Sequence, residues 1–426
     1  PAPAGRTMTT VGPSGGPCLG CGEGRPVPFL DLGDQPRAGW FPMAADPPDP
    51  VWPLRAALCP RCGLVQLDAP GPDEIDLPGA PPPTASTSMA AHAREFVADA
   101  VARVPLDGAA VVEVASHAGY LQPFFAAAGV ATVVLEDEPG RVAALRDRGG
   151  TVVAGALEDA AAGRSGLRPH GAALVVDHYL LAHRRAPEAA LAGVAALLAP
   201  GGTAVVEFDH LLPTVRGLQF DAFRHGHRSY LTLTWLVAAA ARVGLRVTGA
   251  REQPVYGGAL RVYLRPAGPA GKREPDGVAA ILAAERTAGL ADLASLEAFA
   301  TRVADLRDAT VEALATLARE GRPMLGYGAP ARAVTLLNHY RLEPGLLPLT
   351  ADAAAAKQGR CVPGVRTPIV APDELRRRRP DDVLILAWDL APEIVRQLGA
   401  AGGWEARHWV PIPALRRADA PVEARR

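Results

Sequence analysis

Four of the five cysteines in this chain stand in two C-x-x-C pairs, Cys18 with Cys21 and Cys59 with Cys62. Each pair places two thiolates on one tight turn, and two such turns complete the tetrahedral four-sulfur shell that suits zinc. Because four cysteines leave no coordination position for water, the pattern predicts a structural zinc site. Two redox pairs or buried free thiols are the alternative interpretation. Cys361 lies far from both pairs in the sequence and is interpreted as an ordinary small residue.

The length and charge of the chain exclude several classes of protein. Its 426 residues allow two or three domains of ordinary size. With 44 Lys and Arg against 45 Asp and Glu, the formal net charge is −1, which argues against nucleic acid or an anionic membrane as a partner. No apolar run reaches the roughly 20 residues that span a bilayer, and the first residues lack the order of a secretory signal. We therefore expect a cytoplasmic protein.

Changes of composition divide the chain into three predicted domains, 1–80, 85–268 and 275–426. The first is rich in Pro and Gly, with short apolar runs at 27–30 and 63–67 and little helical periodicity. In the other two, short β-branched runs alternate with Ala-rich helical stretches, which is typical of parallel α/β sheets. The sequence therefore predicts a small zinc-binding domain followed by two α/β domains.

Two helical stretches and a series of strands can be placed in the α/β domains. A capping serine, Ser86, precedes apolar residues at helical spacing and predicts a helix from there to about 104. The stretch 278–320 is amphipathic without a strong turn signal and predicts one long helix or two. The predicted strands are 109–114, 132–135, 173–176, 203–208, 245–248, 260–264, 323–327, 346–349, 382–386 and 408–410.

The predicted strand at 109–114 runs into a turn that carries a single glycine, Gly119, before the next helix. In nucleotide-binding α/β units such a turn lets a ligand approach the backbone, and an acid after the second strand binds the ribose hydroxyls. Glu138 lies about 20 residues beyond the turn and fits the role of this acid. Because two or three glycines are usual in such turns, a structural α/β turn is an equally good interpretation of the pattern alone.

Two histidines, His225 and His227, lie in the block 220–230 after the predicted strand at 203–208. Ligands of α/β sheets gather beyond the carboxyl ends of the strands, and imidazole can accept a proton near pH 7. The pair can equally bind a metal or tie down a loop. Three further histidines follow other predicted strands and are interpreted first as loop or helix residues: His178, His183 and His210.

Tyr327, Gly328 and Lys357 are candidate contacts for a nucleotide diphosphate in the third domain. A glycine-containing turn after a strand presents backbone N–H donors, and lysine supplies positive charge. A packed α/β turn beside a solvated lysine is the alternative.

Short sequence motifs occur in a fixed order along nearly the whole chain. They are the two cysteine pairs, Val112-Glu-Val-Ala-Ser-His-Ala-Gly-Tyr-Leu121, Leu180-Leu-Ala-His183, Val206-Glu-Phe208, the 220–230 block, Gly257-Gly-Ala-Leu-Arg-Val-Tyr263, Gly326-Tyr-Gly-Ala329, Lys357-Gln-Gly359, Pro363-Gly364, Leu384-Ile-Leu-Ala-Trp388 and Val410-Pro-Ile-Pro413. In this number and order they resemble the three-domain, S-adenosylmethionine-dependent C-methyltransferases that act on nucleotide-linked 4-keto deoxysugars in antibiotic biosynthesis.

The resemblance implies an α/β fold of three parts: a domain with structural zinc, a central Rossmann-like class I methyltransferase domain, and a C-terminal Rossmann-like domain that helps hold a nucleotide-sugar. It also implies a base that removes a proton next to the sugar ketone, giving an enolate that attacks the methyl sulfonium. His227 matches the last histidine of the family's Tyr-His-Glu-His phrase and is the candidate base. His225 matches the first and is a candidate to orient the base or donate to the enolate. The residues implied to bind S-adenosylmethionine are Glu113, Ala115, His117, Gly119, Tyr120, Glu138 and His178.

Three departures from the family pattern concern the same cleft. Where the family has Tyr-His-Glu-His this chain has Arg224-His-Gly-His227, so a phenol and a carboxylate are absent. Arg224 instead adds a fixed positive charge that can bind an anionic group or stabilise an enolate. Prolines around 81–84 replace aromatic residues, and His117-Ala118 replaces Asn-Asp in the donor turn.

Three functions fit this pattern. The first, which we expect, is a C-methyltransferase with altered site residues that acts on a nucleotide-linked keto-deoxysugar or a related ketone. The second is an epimerase or isomerase that works through the same enolate without methyl transfer. The third is a non-catalytic scaffold that keeps zinc and the two α/β domains, although retention of both histidines argues against it. The expected partner is a small molecule, and the oligomeric state is left open.

Overall fold

Three β-sheets organise the part of the chain that the computed structural model describes, which is residues 16–69, 71, 86–106, 110–114, 119–268, 275–343, 345–400 and 404–418. The strands are β1 (Val27–Pro36), β2 (Val51–Leu58), β3 (Val65–Leu67), β4 (Ala110–Val114), β5 (Thr132–Glu136), β6 (Val152–Ala154), β7 (Ala172–His178), β8 (Leu198–Asp209), β9 (Ser229–Tyr230), β10 (Leu245–Gln253), β11 (Ala259–Pro266), β12 (Leu325–Tyr327), β13 (Thr350–Ala351), β14 (Ile369–Val370), β15 (Asp382–Ile385), β16 (Arg407–Val410) and β17 (Arg416–Arg417). The helices are α1 (Thr87–Val101), α2 (Gln122–Ala127), α3 (Pro139–Asp147), α4 (Pro187–Leu197), α5 (Leu211–Arg216), α6 (Leu233–Arg242), α7 (Val278–Thr287), α8 (Leu293–Arg319), α9 (Ala331–Tyr340), α10 (Pro372–Arg378) and α11 (Ala391–Ala400), with short 3₁₀ helices at Leu157–Ala162, Leu181–His183, Phe220–Ala222, Ala355–Lys357 and Trp388–Leu390. The alternation of strands and helices confirms the predicted α/β class.

The N-terminal sheet has the order β1-β2-β3-β9, and all its neighbouring strands are antiparallel. The apolar runs at 27–30 and 63–67 lie in or beside β1 and β3. The sequence does not predict β2, because Pro53 and Arg55 interrupt its apolar pattern. Pro53 lies beside a shift of register between β1 and β2, where a residue without an N–H group is tolerated. The short strand β9 brings the end of the 220–230 block into this sheet.

The central sheet has the order β10-β11-β8-β7-β4-β5-β6. Strands β4 to β8 are parallel, and the hairpin of β10 and β11 adds two antiparallel strands beside β8. The strand order reverses between β4 and β7, and sheets of this class bind ligands beyond the carboxyl ends of the strands at such a reversal. We call this edge, formed by the last residues of β4, β5, β7 and β8, the ligand edge; these residues are Val114, Glu136, His178 and Asp209.

Both helix predictions can be compared with the structure. Helix α1 begins after Ser86, whose hydroxyl accepts a backbone hydrogen bond at 3.4 Å, as predicted. The stretch 278–320 forms two helices, α7 and α8. They are separated at Gly289, which has φ +66°, and Asp292 caps α8 by accepting from Ser295 N at 2.9 Å. Among the residues described, no helix combines the length and the hydropathy of a membrane span.

The C-terminal sheet has the order β14-β13-β12-β15-β16-β17 and is parallel except for β17. The predicted strands at 323–327, 382–386 and 408–410 correspond to β12, β15 and β16. The predicted strand at 346–349 is wrong by a few residues, since the chain joins the sheet only in β13. Pro348 has no N–H group to donate to a ladder, which explains the displacement.

One hydrophobic core joins the N-terminal sheet to the C-terminal sheet. We call residues 220–230 the histidine block. One buried cluster contains Phe29 of β1, Phe223 of the histidine block and Phe299 of α8. The ring centroid of Phe223 lies 6.5 Å from that of Phe29 and 6.2 Å from that of Phe299. The predicted domain boundaries near 80 and between 268 and 275 fall at segments outside the described residues, so they stay predictions.

Candidate active site

The four paired cysteines meet at one point. Their sulfur atoms all lie within 4.8 Å of one another, with Cys18 Sγ 3.6 Å from Cys62 Sγ and Cys21 Sγ 3.9 Å from Cys59 Sγ. Sulfurs around a tetrahedral zinc ion lie roughly 3.8 Å apart, given Zn–S bonds of about 2.3 Å. Two backbone N–H groups donate to the sulfurs of Cys18 and Cys21, each at 3.3 Å, which stabilises thiolates. The four residues therefore fit a closed, structural zinc site.

The cysteine turns also position the histidine block. The turn that ends at Cys62 leads directly into β3, and Val65 in this strand pairs with Tyr230 in β9. A further backbone hydrogen bond joins Leu67 N to Arg228 O at 3.0 Å. The strands on either side of the second cysteine turn and the residues that follow His227 thus share one small sheet.

The predicted donor turn follows β4 at the ligand edge. Glu113 on β4 is fully buried, and its Oε1 accepts from Leu121 N at 3.3 Å. Its Oε2 has no hydrogen-bond partner within the described ranges, and burial raises the pKa of Glu113 to about 8. Gly119 has φ +70°, in the left-handed region that favours glycine. The predicted contacts Ala115 and His117 lie outside the described residues.

Glu136 and Glu138 lie at the end of β5, on either side of Asp137. Glu138 is exposed and caps α3, accepting from Gly140 N at 2.9 Å and from Arg141 N at 2.7 Å, and these bonds lower its pKa. Glu136 is enclosed and pairs with Arg141, whose Nε lies 3.0 Å from Glu136 Oε2. Glu138 is therefore the acid of the two that a ligand can reach, and its contact with the donor ribose stays a prediction.

We expect Glu138→Gln to weaken donor binding by about tenfold, because hydrogen bonds to a charged carboxylate contribute about 1.5–3 kcal/mol. Glu136→Gln is the matched control. It breaks an enclosed ion pair, so it should lower the unfolding temperature and leave the donor affinity nearly unchanged. Calorimetric titration of S-adenosylmethionine into both variants measures the difference. Equal donor affinity in Glu138→Gln and the unchanged enzyme would show that Glu138 does not bind the donor.

His178, at the end of β7, belongs to a buried chain of polar groups. Its Nδ1 lies 2.5 Å from Tyr120 Oη, and its Nε2 lies 3.2 Å from Glu207 Oε1. His92 Nε2 lies 2.5 Å from the same oxygen, and Arg261 Nε donates to Glu207 Oε2 at 2.7 Å. Burial alone would raise the pKa of Glu207, but the two imidazoles hold it well below its usual range. The His178 side chain is 1% exposed and faces Glu207. Its contact with the methyl donor stays a prediction.

The distances within this group of buried polar side chains fit hydrogen bonds and not a shared zinc ion. The ligand atoms of His92, His178 and Glu207 lie within 4.8 Å of one another, but the His92 nitrogen is only 2.5 Å from the Glu207 oxygen. Ligand atoms that share one zinc ion lie roughly 3.3 Å apart, given bonds of about 2.0–2.2 Å. Sequence patterns do not reveal His92, Glu207 and Arg261 as partners, because these residues come from three distant segments.

We expect Arg261→Met to lower the free energy of unfolding by about 3–5 kcal/mol, because the fully buried Glu207 carboxylate would lose its fixed cation. Arg251→Met on the neighbouring strand is the control. The Arg251 side chain is 52% exposed, and surface ion pairs contribute about 0–1 kcal/mol. Urea unfolding measures both variants, and equal losses would contradict a special role for Arg261.

His227 lies between a cation and a carboxylate. Arg224 Nη2 lies 2.6 Å from His227 Nε2, and a guanidinium can only donate, so Nε2 accepts and the neutral ring carries its hydrogen on Nδ1. Nδ1 lies 3.8 Å from Asp209 Oδ2 at the ligand edge. The ring of His183 packs edge-on against His227, with centroids 4.2 Å apart. The structure thus brings together two of the three predicted catalytic residues, His227 and Arg224.

His225 is held by the N-terminal sheet instead. Its Nε2 lies 3.3 Å from Pro53 O, and its ring packs edge-on against Trp52 with centroids 6.2 Å apart. Burial lowers the pKa of His225. Trp52 also lines a cavity of about 570 Å³ together with Trp40 and Arg37. A direct part of His225 in the chemistry stays a prediction.

Of the three candidate diphosphate contacts, Tyr327 and Gly328 lie at the end of one strand, and Lys357 lies beside a carboxylate. Tyr327 ends β12, and Gly328 follows it with φ +92°. Lys357 Nζ donates to Ala329 O at 2.9 Å and lies 3.4 Å from Asp352 Oδ2, which also accepts from Ala329 N at 2.7 Å. The lysine charge is therefore already paired, and its contact with a nucleotide stays a prediction.

Comparison with known proteins assigns the chain to a family. Residues 254–413 match the C-methyltransferase C-terminal domain, and residues 18–75 match a zinc binding domain. The C-methyltransferase NovU of Streptomyces niveus is 32% identical over 410 residues, which cover 94% of this chain and 96% of that protein. This chain belongs to the C-methyltransferase family. The predicted membership in a C-methyltransferase family, C-methyl transfer and the zinc-binding domain are confirmed.

Two solved structures are similar to part of this C-methyltransferase. The CcbJ methyltransferase of Streptomyces caelestis is 15% identical, with a TM-score of 0.32, and the match covers 41% of this chain and 90% of that one. An O-methyltransferase family protein of Burkholderia thailandensis is 20% identical, with a TM-score of 0.32, over 42% of this chain and 57% of that one.

Two tyrosines near the ligand edge of this C-methyltransferase are not revealed by sequence patterns. Tyr179 and Tyr256 both have positive φ, +68° and +54°, which is uncommon for bulky residues and frequent at functional sites. Their rings lie 4.9 Å apart, and the buried Tyr179 Oη has no partner within the described part of the chain. Arg332 of α9 donates to Tyr256 O at 2.8 Å and to Asp221 at 3.0 Å. The C-terminal domain is thereby fixed against the histidine block.

Proposed function

We propose that this C-methyltransferase methylates the carbon next to the ketone of a nucleotide-linked keto-deoxysugar or a related ketone, through an enolate formed by His227. The observation that supports this best is the neutral imidazole of His227, whose Nε2 lone pair lies 2.6 Å from the Arg224 guanidinium. A base can remove a proton next to a ketone only if the developing oxygen anion is stabilised. His227 and Arg224 supply the base and the cation at one place.

The proposed step follows from the hydrogen-bonding capacity of each group. Arg224 donates to His227 Nε2, and a ketone oxygen beside it competes for the same N–H donor. That exchange frees Nε2 to accept the proton, while the guanidinium stays next to the oxygen on which negative charge develops. His227 becomes an imidazolium, and Asp209 faces its Nδ1 at 3.8 Å. When bound, S-adenosylmethionine supplies the electrophilic methyl group that the enolate carbon takes up.

We propose that the methyl donor binds at the ligand edge beside β4 and β5. The buried Glu113 oxygen without a partner in the described structure fits a ligand that brings hydrogen-bond donors. The positive φ of Gly119 gives the close approach to the backbone that such a ligand needs. The residues proposed to hold the donor are Glu113, Ala115, His117, Gly119, Tyr120, Glu138 and His178.

The nucleotide part of the substrate is proposed to meet the C-terminal domain at Tyr327, Gly328 and Lys357. We also propose that His225 assists His227 from the side of the N-terminal sheet. The expected setting is natural-product biosynthesis in the cytoplasm, with a small molecule as partner and neither nucleic acid nor membrane.

Proton exchange in heavy water tests this function. The enzyme is incubated with a nucleotide-linked 4-keto deoxysugar and S-adenosylhomocysteine, and deuterium at the carbon next to the ketone is followed by NMR. We expect deuterium exchange in the presence of S-adenosylhomocysteine. When S-adenosylmethionine is supplied in its place, we expect methylation of the same carbon. Exchange with inversion at that carbon and no methylation would indicate an isomerase, and no exchange at all would contradict the proposal.

A further inference from the structure

A carboxylate is missing from the histidine block itself. Gly226 stands where the related phrase has glutamate, and its carbonyl oxygen lies 2.9 Å from His183 Nδ1. The carboxylate that faces His227 comes instead from strand β8. Asp209 is the last residue of β8, and its Oδ2 lies 3.8 Å from His227 Nδ1.

The second observation concerns the other oxygen of Asp209. The side chain is 19% exposed, yet Oδ1 is buried and has no hydrogen-bond partner among the residues described. A buried carboxylate oxygen without a partner is rare in proteins and is frequent at functional sites. Asp209 lies at the ligand edge, where sheets of this class bind their ligands.

The third observation is the tautomer of His227. Because Arg224 only donates, its contact at 2.6 Å requires the lone pair on Nε2 and the hydrogen on Nδ1. This is the tautomer that a general base needs, since Nε2 then accepts the proton while Nδ1–H faces the carboxylate. A separation of 3.8 Å is longer than a hydrogen bond, as is common in sites that tighten when substrate binds.

We propose that Asp209 is a positioning residue that holds His227 in the tautomer with hydrogen on Nδ1 and stabilises the imidazolium formed during proton removal. The inference rests on the proposed function of His227 as the base. Strand β8 thus supplies the carboxylate that the histidine block has lost at Gly226. No bond to Asp209 forms or breaks in this role, and the proton stays on His227.

The charges around Asp209 come from four elements. Burial raises its pKa to about 6, Arg224 and Arg332 lower it, and Asp389 and Glu207 raise it. Tyr179 and Tyr256 also face it, and their own pKa values are raised mainly by burial. The raised pKa means that Asp209 is ionised above about pH 6 and loses its charge as the pH falls through that value. The proposed support for His227 is therefore present at neutral pH.

Asp209→Asn tests the proposal, because it keeps the shape of the side chain and removes the charge. We expect kcat to fall by about 100-fold with KM changed by less than about threefold. We also expect the acid limb of kcat/KM to move to lower pH, since a carboxylate favours the charged form of a neighbouring histidine. Asp209→Glu should have a kcat at least about tenfold higher than that of Asp209→Asn.

Glu285→Gln is the matched control, since Glu285 Oε1 lies 2.7 Å from His210 Nε2 in a second buried pair of carboxylate and histidine. It should lower the unfolding temperature and leave the acid limb where it is. An Asp209→Asn enzyme with kcat within about twofold of the unchanged enzyme, or with an unmoved acid limb, would overturn the proposal.

A measurement without substrate separates this inference from the proposed function. Nitrogen-15 NMR of the histidine rings, assigned by comparison with His227→Gln, reports which nitrogen of His227 carries hydrogen. We expect Nδ1–H in the unchanged enzyme and in Asp209→Asn, where Arg224 still holds the lone pair on Nε2, and in Arg224→Met, where Asp209 still faces Nδ1. A mixture of tautomers is expected only when Asp209→Asn is combined with Arg224→Met. Nδ1–H as the sole tautomer in that double variant would overturn the role of Asp209. Absence of substrate exchange in the unchanged enzyme would instead count against the proposed function.

Discussion

Replacing His227 with alanine is expected to lower kcat for methyl transfer by about 1,000-fold, because a general base contributes about 10²- to 10⁴-fold. The His227 side chain is 3% exposed and lies between Arg224 and Asp209. Deuterium exchange into the keto-sugar should fall by a similar factor, since proton removal precedes methyl transfer. The loss is measured under saturating donor and substrate.

The control for this change is His408→Ala on β16 of the C-terminal sheet, which should keep both activities. Thermal unfolding of the two variants shows whether the fold is retained. If His227→Ala folds and still exchanges the substrate proton at the rate of the unchanged enzyme, the base is another residue.

Replacing Cys59 with serine is expected to remove zinc and to lower the free energy of unfolding by about 4 kcal/mol or more, the range typical of a lost structural metal. Cys59 is fully buried, and its turn leads into β3, which pairs with β9 beside the histidine block. Methyl transfer should therefore be lost together with the metal, although no cysteine touches the substrate in our proposal. Zinc content and urea unfolding are measured on the same sample.

Cys361→Ser is the matched control, because Cys361 is buried to 4% exposure but lies outside the cluster of four sulfurs. It should keep one zinc ion per chain. A Cys59→Ser protein with full zinc content and full activity would contradict the structural role of the metal.

Local patterns in the sequence predict those parts of the molecule in which neighbours along the chain act together. The two C-x-x-C turns predict the zinc site, and alternation of strands and helices predicts the α/β class. Strand β2 escapes prediction because Pro53 and Arg55 break its pattern, and only pairing with β1 and β3 makes it a strand. The strand predicted at 346–349 is displaced because Pro348 cannot join a ladder.

The surroundings of the candidate base depend on contacts between distant segments. Asp209 and His227 are brought together by strand β8 and the pairing of β9 with β3, which no short phrase encodes. His92 and Glu207 are 115 residues apart and meet only when α1 packs on the central sheet. The sequence phrase shows that a phenol and a carboxylate are missing next to His227. The structure shows Asp209 facing His227 from strand β8.

Transfer of a carbon-13 methyl group tests the central claim most directly. The enzyme is given S-adenosylmethionine labelled in its methyl group and a nucleotide-linked 4-keto deoxysugar, and the product is examined by carbon-13 NMR. We predict a labelled methyl group bonded to the carbon next to the ketone, with formation that depends on His227. A labelled methyl group on oxygen, or no transfer from a donor shown to be bound, would contradict the account.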